Sequence, residues 1–354
     1  MEESNPVNLN RFIKEGTFAA FPLCFPGISQ IIPPDESHIT ALDRGPEGFI
    51  YGGTSGFKSH LFVGMFHGAL GAVFDIGVVK NTNECSAICC GKEKFIACLN
   101  GPEGGKLVTG KLQSVPDQLM EDWNFVREPF EKLGTLPDGE KIIHAISEPS
   151  KKFIIGITNK HIFKAQFDFV KIEIIGEIKG AGRITITSNS SIIGKDNENS
   201  LWKFNPETGE FNNNFFKLPE ETWKVTPNRW ARDPNTGKLY TADDEGYLYS
   251  YLEEEGFIGP LEKVPASPVG PMAVTNDGRL FGFSGKEETN LFVYYPTKNK
   301  IEQLGIAASY LERRRFGYKW GDAVLGKDGE IFLGEEDNQG HLWIYFPSII
   351  YKKT

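Results

Sequence analysis

Several things are scarce or missing in this 354-residue sequence, and each absence narrows the function. No apolar run approaches the roughly 20 residues that a helix needs to cross a bilayer, so no membrane span is expected. The opening Met1-Glu2-Glu3-Ser4-Asn5-Pro6 lacks the basic start and apolar stretch of a secretory leader, which reads as a cytoplasmic protein. A basic charge balance is missing too: 38 Lys and Arg face 47 Asp and Glu, a net charge of −9. Phosphate backbones demand a basic surface, so a nucleic-acid-binding face is not expected as the main activity. Cysteine is sparse. Cys85, Cys89, Cys90 and Cys98 crowd together without C-x-x-C spacing and read as buried small hydrophobes, with Cys24 apart.

Catalytic fingerprints are also missing. No His is followed by Glu, which removes H-E-x-x-H zinc chemistry. The segments Gly53-Thr54-Ser55-Gly56 and Phe283-Ser284-Gly285-Lys286 lack the final Gly of a nucleophile elbow and read as hairpin loops. Asn100-Gly101-Pro102-Glu103-Gly104-Gly105-Lys106 is glycine-rich, but no Ser or Thr follows the Lys and no helix is expected after it, so it does not cradle phosphate. A divalent metal held by histidines from distant segments would leave no local spacing, and metal dependence stays open.

What the sequence does hold is a repeat. Seven apolar strands, FIYGGT, FIACLN, FIIGIT, SIIGKD, KLYTAD, RLFGFS and EIFLGE, are each followed by a second strand that opens on Leu or Ile. Those markers are Leu61, Leu107, Ile162, Leu201, Leu248, Leu291 and Leu342. An inner strand precedes each pair, and six of the seven carry an alanine at a matching place: Ala41, Ala87, Ala145, Ala231, Ala273 and Ala323. The period of roughly 40 to 55 residues predicts an all-β, seven-bladed β-propeller of four-stranded antiparallel blades, one domain over 1–354. Only six outer strands are legible, one of them LEKVP at 261–265, so the ring is expected to close by an N-terminal strand, placed at 25–33, in the last blade. Residues 114–129 read as a helical insertion in blade 2, either covering strand edges or docking a protein partner.

In such a ring the loops into each inner strand and the loops between second and third strands share one face, where the axial channel opens. That map brings His60, His144, His161 and His341 to one side with Arg183 and Arg229, which open inner strands. The long connection before the last inner strand adds Arg313, Arg314, Arg315, Tyr318, Lys319 and Trp320, and Trp230 follows Arg229. Arg forks match carboxylates and aromatic faces stack on sugar rings, so a small anionic or oligosaccharide ligand is the expected partner. The plainer reading is that histidines at strand ends cap backbone groups and that Trp at an inner strand packs on the next blade.

The strands LYTADDEGYLYSY and RLFGFSGKEETNLFVYY resemble the seven-bladed propellers of bacterial carbohydrate-degradation loci, including polysaccharide lyases. The resemblance spans nearly the whole chain but carries over no catalytic residue by position. It implies action on a uronic-acid-type saccharide by β-elimination; such chemistry needs a cation to neutralise the carboxylate and a base to remove the adjacent proton, and on the mapped face Arg183 and Arg229 are the candidates for the first role and His144 or Tyr318 for the second. His60, His161, Trp230, Arg315, Lys319, Trp320 and His341 would bind substrate. A non-enzymatic binding or scaffold propeller, and a metal-dependent hydrolase or isomerase, are the competing readings.

Overall fold

The computed structural model describes residues 14–23, 31–67, 70–113, 129–168, 171–178, 182–196, 200–217, 229–309, 315–337 and 339–349. Seven antiparallel blades occupy residues 38–78, 84–135, 142–177, 185–217, 230–258, 269–305 and 320–346. Within each, sequence neighbours are sheet neighbours, as short hairpins dictate. Inner strands of blades 1 and 2, 2 and 3, 5 and 6, and 6 and 7 pack side by side, and that of blade 7 returns against that of blade 1. Five of the matched alanines are buried there, because a larger side chain would push the inner strands apart.

The last blade is closed by an N-terminal strand, but an earlier one than 25–33. Thr17–Pro22 pairs antiparallel with His341–Phe346, running from Thr17 opposite Phe346 to Pro22 opposite His341. Its residues Phe18, Ala19 and Ala20 are buried, whereas 31–33 form no strand and 24–30 lie outside the described residues. The segment TFAAFP supplies the apolar side chains that the gap needs, and FPGISQIIP, with a proline near each end, suits a ladder poorly. Two further short strands, Ala307–Ser309 and Arg315–Gly317, extend this sheet to six. The outer strand of blade 5 also differs from LEKVP. It begins at Gly256–Ile258 and resumes through hydrogen bonds of Leu261 and Glu262 to Leu248, divided at Pro260, which has no N–H to give. The insertion expected at 114–129 falls, except for Pro129, outside the described residues.

The core is a series of seams between neighbouring blades. In four blades a glycine of the second strand lies opposite an aromatic of the third: Gly52 and Phe62, Gly156 and Phe163, Gly194 and Trp202, Gly282 and Phe292. A Cβ at Gly52, Gly156 or Gly194 would sit only 2.1, 2.1 or 2.2 Å from the ring, so the aromatic lies flat over the glycine.

Candidate axial binding site

At the channel mouth six of the seven blades contribute to one recess of about 410 Å³. Thr40, Glu84, Asn100, Lys141, Arg183, Arg229 and Glu336 are the polar groups that matter there. Arg183, just ahead of the inner strand of blade 4, donates to Asp322 Oδ1 of blade 7 at 2.9 Å and to the carbonyls of Thr40 and Gly321, each at 3.3 Å. The other Asp322 oxygen accepts the Leu42 N–H at 2.9 Å, so one carboxylate ties blade 7 to blade 1 and anchors a cation. Arg229, ahead of the inner strand of blade 5, donates to the Gly321 carbonyl at 2.7 Å. Among the described residues it has no carboxylate partner. Burial, and then the Arg183 charge, push its guanidinium down to about 9, which leaves it charged at neutral pH. Glu336 is engaged by Lys319 at 3.4 Å, and Glu84 accepts from Asn100 at 3.2 Å.

His144 stands beside these two guanidinia. Burial, then Arg183 and Arg229, hold its pKa well below the usual imidazole range, so it is neutral. Its Nδ1 accepts the Ile184 N–H at 3.3 Å, which places the ring proton on Nε2 and makes His144 a hydrogen-bond donor in this arrangement.

The structure therefore brings Arg183, Arg229 and His144 together, and it leaves most of the other expected site residues on the rim in structural roles. Trp230 braces the site from behind, its indole N–H donating to the Arg183 carbonyl at 3.1 Å. Trp320 is buried, stacked on Phe283 at 4.4 Å and bonded to Thr289 Oγ1 at 2.9 Å. His60 is clamped between Glu36 (2.7 Å) and Asp75 (3.4 Å), and His161 is held by Glu140 at 2.9 Å. Arg315 is 2.9 Å from Glu335, a carboxylate that also takes the backbone N–H of His341 at 3.1 Å. Tyr318 lies on the outer rim beside Phe316, 6.4 Å between ring centres, and is not part of the recess. Arg313 and Arg314 lie outside the described residues. Among the described residues no group of three or more His, Cys, Asp or Glu is arranged to hold a metal ion.

Thr40, Glu84, Asn100, Lys141 and Glu336 were not named as site residues, although all but Thr40 fall on loops that the sequence map places on the ligand face. One signal was available for some of the set: a polar residue stands immediately before the matched alanine at Thr40, Ser86, His144 and Asp322, of which Thr40 and Ser86 line the recess and Asp322 holds Arg183.

Solved structures share this architecture. The extracellular domain of a hybrid two-component system from B. thetaiotaomicron matches 95% of this chain with a TM-score of 0.61 at 14% identity, and an extracellular domain from a one-component system of the same organism matches 92% at 0.58 and 15%. The chain spans only 40% and 39% of those two structures. A catalytically inactive virginiamycin B lyase from Staphylococcus aureus, solved with quinupristin, matches 93% of this chain and 99% of its own length at TM-score 0.62 and 12% identity. At such identities the likeness establishes the fold alone. No protein-family model matches the sequence, and neither does any curated protein.

Proposed function

We propose that the axial mouth binds an anionic ligand of the uronic-acid saccharide type, with Arg229 meeting its carboxylate. One observation carries this reading. A recessed guanidinium whose described bond goes to a carbonyl is a desolvated charge with donors to spare, and a carboxylate completes it with charge-assisted bonds. Arg183, already committed to Asp322, shapes the field, and His144, which does not itself line the recess, stays neutral beside the two guanidinia and adds no charge to it. The recess falls within the size range of small-molecule sites.

Turnover by β-elimination is the second reading, favoured by the match along almost the full length of a lyase. It requires a base. His144 could accept a proton at Nε2 only as the other tautomer, giving up the Ile184 bond, so binding without turnover is the simpler assignment.

Calorimetry with short oligouronides, run beside ultraviolet detection of unsaturated product, tests both. Arg229→Met should weaken binding by about 10- to 100-fold, since hydrogen bonds to charged groups are worth roughly 1.5–3 kcal/mol. Equal binding by wild type and variant, or no binding across acidic saccharides, overturns the proposal; product formation would promote the lyase reading.

A further inference from the structure

A second recess opens at the seam of blades 3 and 4, about 600 Å³ in volume and separate from the axial mouth. Trp202 and Phe211 form its apolar wall, and Lys160, His161, Glu177, Asp196, Asn213 and Asn214 surround it. Trp202 is 1% exposed, yet its indole N–H has no acceptor among the described residues. The fold itself does not call for an indole here: the same place opposite a glycine is filled by Phe62, Phe163 and Phe292 in blades 1, 3 and 6. A buried donor left unmade costs stability, so the nitrogen marks a contact for something other than the protein.

The ladder is opened at the same point. In blades 1, 2, 3 and 6 the outer strand carries one extra residue just past the marker, as between Leu61 opposite Gly77 and Phe62 opposite Asp75. In blade 4 the register passes from Leu201 opposite Phe216 to Lys203 opposite Asn212, two extra residues, and the excess falls on 213–215 across from Trp202. The enlarged bulge turns Asn213 and Asn214 out of the ladder and onto the recess, as bulges beside binding sites do.

We propose that this seam is a binding site for a neutral saccharide. Lys160 stands against Glu177 and Asp196, and His161 is already bound to Glu140, so the rim has no excess of cations that would select an anion. Carboxylates and amide oxygens accept, while the indole, Lys160 and amide nitrogens donate. Hydroxyls, which do both, match that mixture. Phe211, half-buried and stacked 5.7 Å from Trp202, offers an apolar face to the C–H side of a sugar ring.

The test is ¹H–¹⁵N NMR of the Trp indoles with calorimetry, using neutral disaccharides of glucose, xylose and mannose beside a galacturonate dimer. A neutral sugar should move the Trp202 indole signal and bind at least about tenfold more weakly to Trp202→Phe, which removes one buried donor. That variant repeats the Phe found in three other blades, and an unchanged thermal melt shows that it folds. Asn214→Ala should weaken the same sugar, and Arg229→Met should leave it unaffected. No shift of the Trp202 signal with any neutral sugar at millimolar concentration, full binding by Trp202→Phe, or a response to galacturonate alone that Arg229→Met abolishes, each overturns the proposal.

Discussion

Lys195 stands where the other six blades place an apolar residue. Register against the marker Leu or Ile puts it in line with Gly53, Cys98, Ile157, Ala242, Phe283 and Gly334. It is 3% exposed, and its side chain makes no hydrogen bond or ion pair among the described residues. Burial lowers its pKa below the ordinary 10.5, against the pull of Asp196 and Asp244. Between the lowered value and 10.5 the unfolded chain binds the extra proton, so stability rises with pH across that window, and at neutral pH the folded state bears the whole penalty. Lys195→Met should therefore raise stability at pH 7 by about 1 kcal/mol, read from denaturant melts, and should flatten the alkaline rise. An unchanged or lower midpoint would mean that the amine is held by a favourable contact. Lys195 was legible as a residue but not as an anomaly, because only strand register shows that its column is apolar. The same holds for Arg229: the sequence places it at the head of an inner strand, and only the neighbouring blades show that Asp322, a carboxylate whose charge it feels, is bonded to Arg183.

At the scale of the strand and hairpin, a polar side chain at the end of the second strand receives the N–H that opens the third. Thr54 takes it from His60, Thr158 from His161, Asp196 from Ser200, Asp243 from Tyr247 and Glu335 from His341. In three of these five hairpins the residue so held is a histidine, His60, His161 or His341, so the cap fixes its backbone position. His60 shows the energetics. Burial pulls its pKa down, but hydrogen bonds and charge from Asp75 and Glu36 outweigh it and raise the net value. A raised folded-state pKa stabilises fully below the unfolded value near 6.5, and that stabilisation is lost as pH climbs through the folded value. His60→Gln should cost about 3 kcal/mol at pH 6, since it strands two carboxylates, and distinctly less at pH 9. Urea melts at both pH values check this; equal costs would mean that His60 contributes packing and not charge.

For the whole molecule the critical joint is the last blade. Phe18 is buried with its ring 4.7 Å from Tyr345, 5.8 Å from Trp343 and 6.4 Å from Phe283, so one N-terminal side chain fastens blade 7 to blade 6. Phe18→Ala should cost about 3–5 kcal/mol in thermal or chemical unfolding. Deleting residues 1–22 should do more: it leaves the His341–Phe346 edge unpaired, and the product should aggregate on size-exclusion chromatography. A truncated chain that stays monomeric with an unchanged melt would show that the ring does not depend on this joint.

The number of blades and the order of strands within them were settled by the amino-acid sequence alone, because hydrophobic alternation and hairpin turns are local and recur seven times. Tertiary structure alone decided which N-terminal segment closes the ring, which cation among the described residues is left without a carboxylate, and that the buried Trp202 indole N–H has no acceptor among them. Those facts depend on distances between side chains in different blades, and residues more than a hundred positions apart carry no mark of such proximity in their order along the chain.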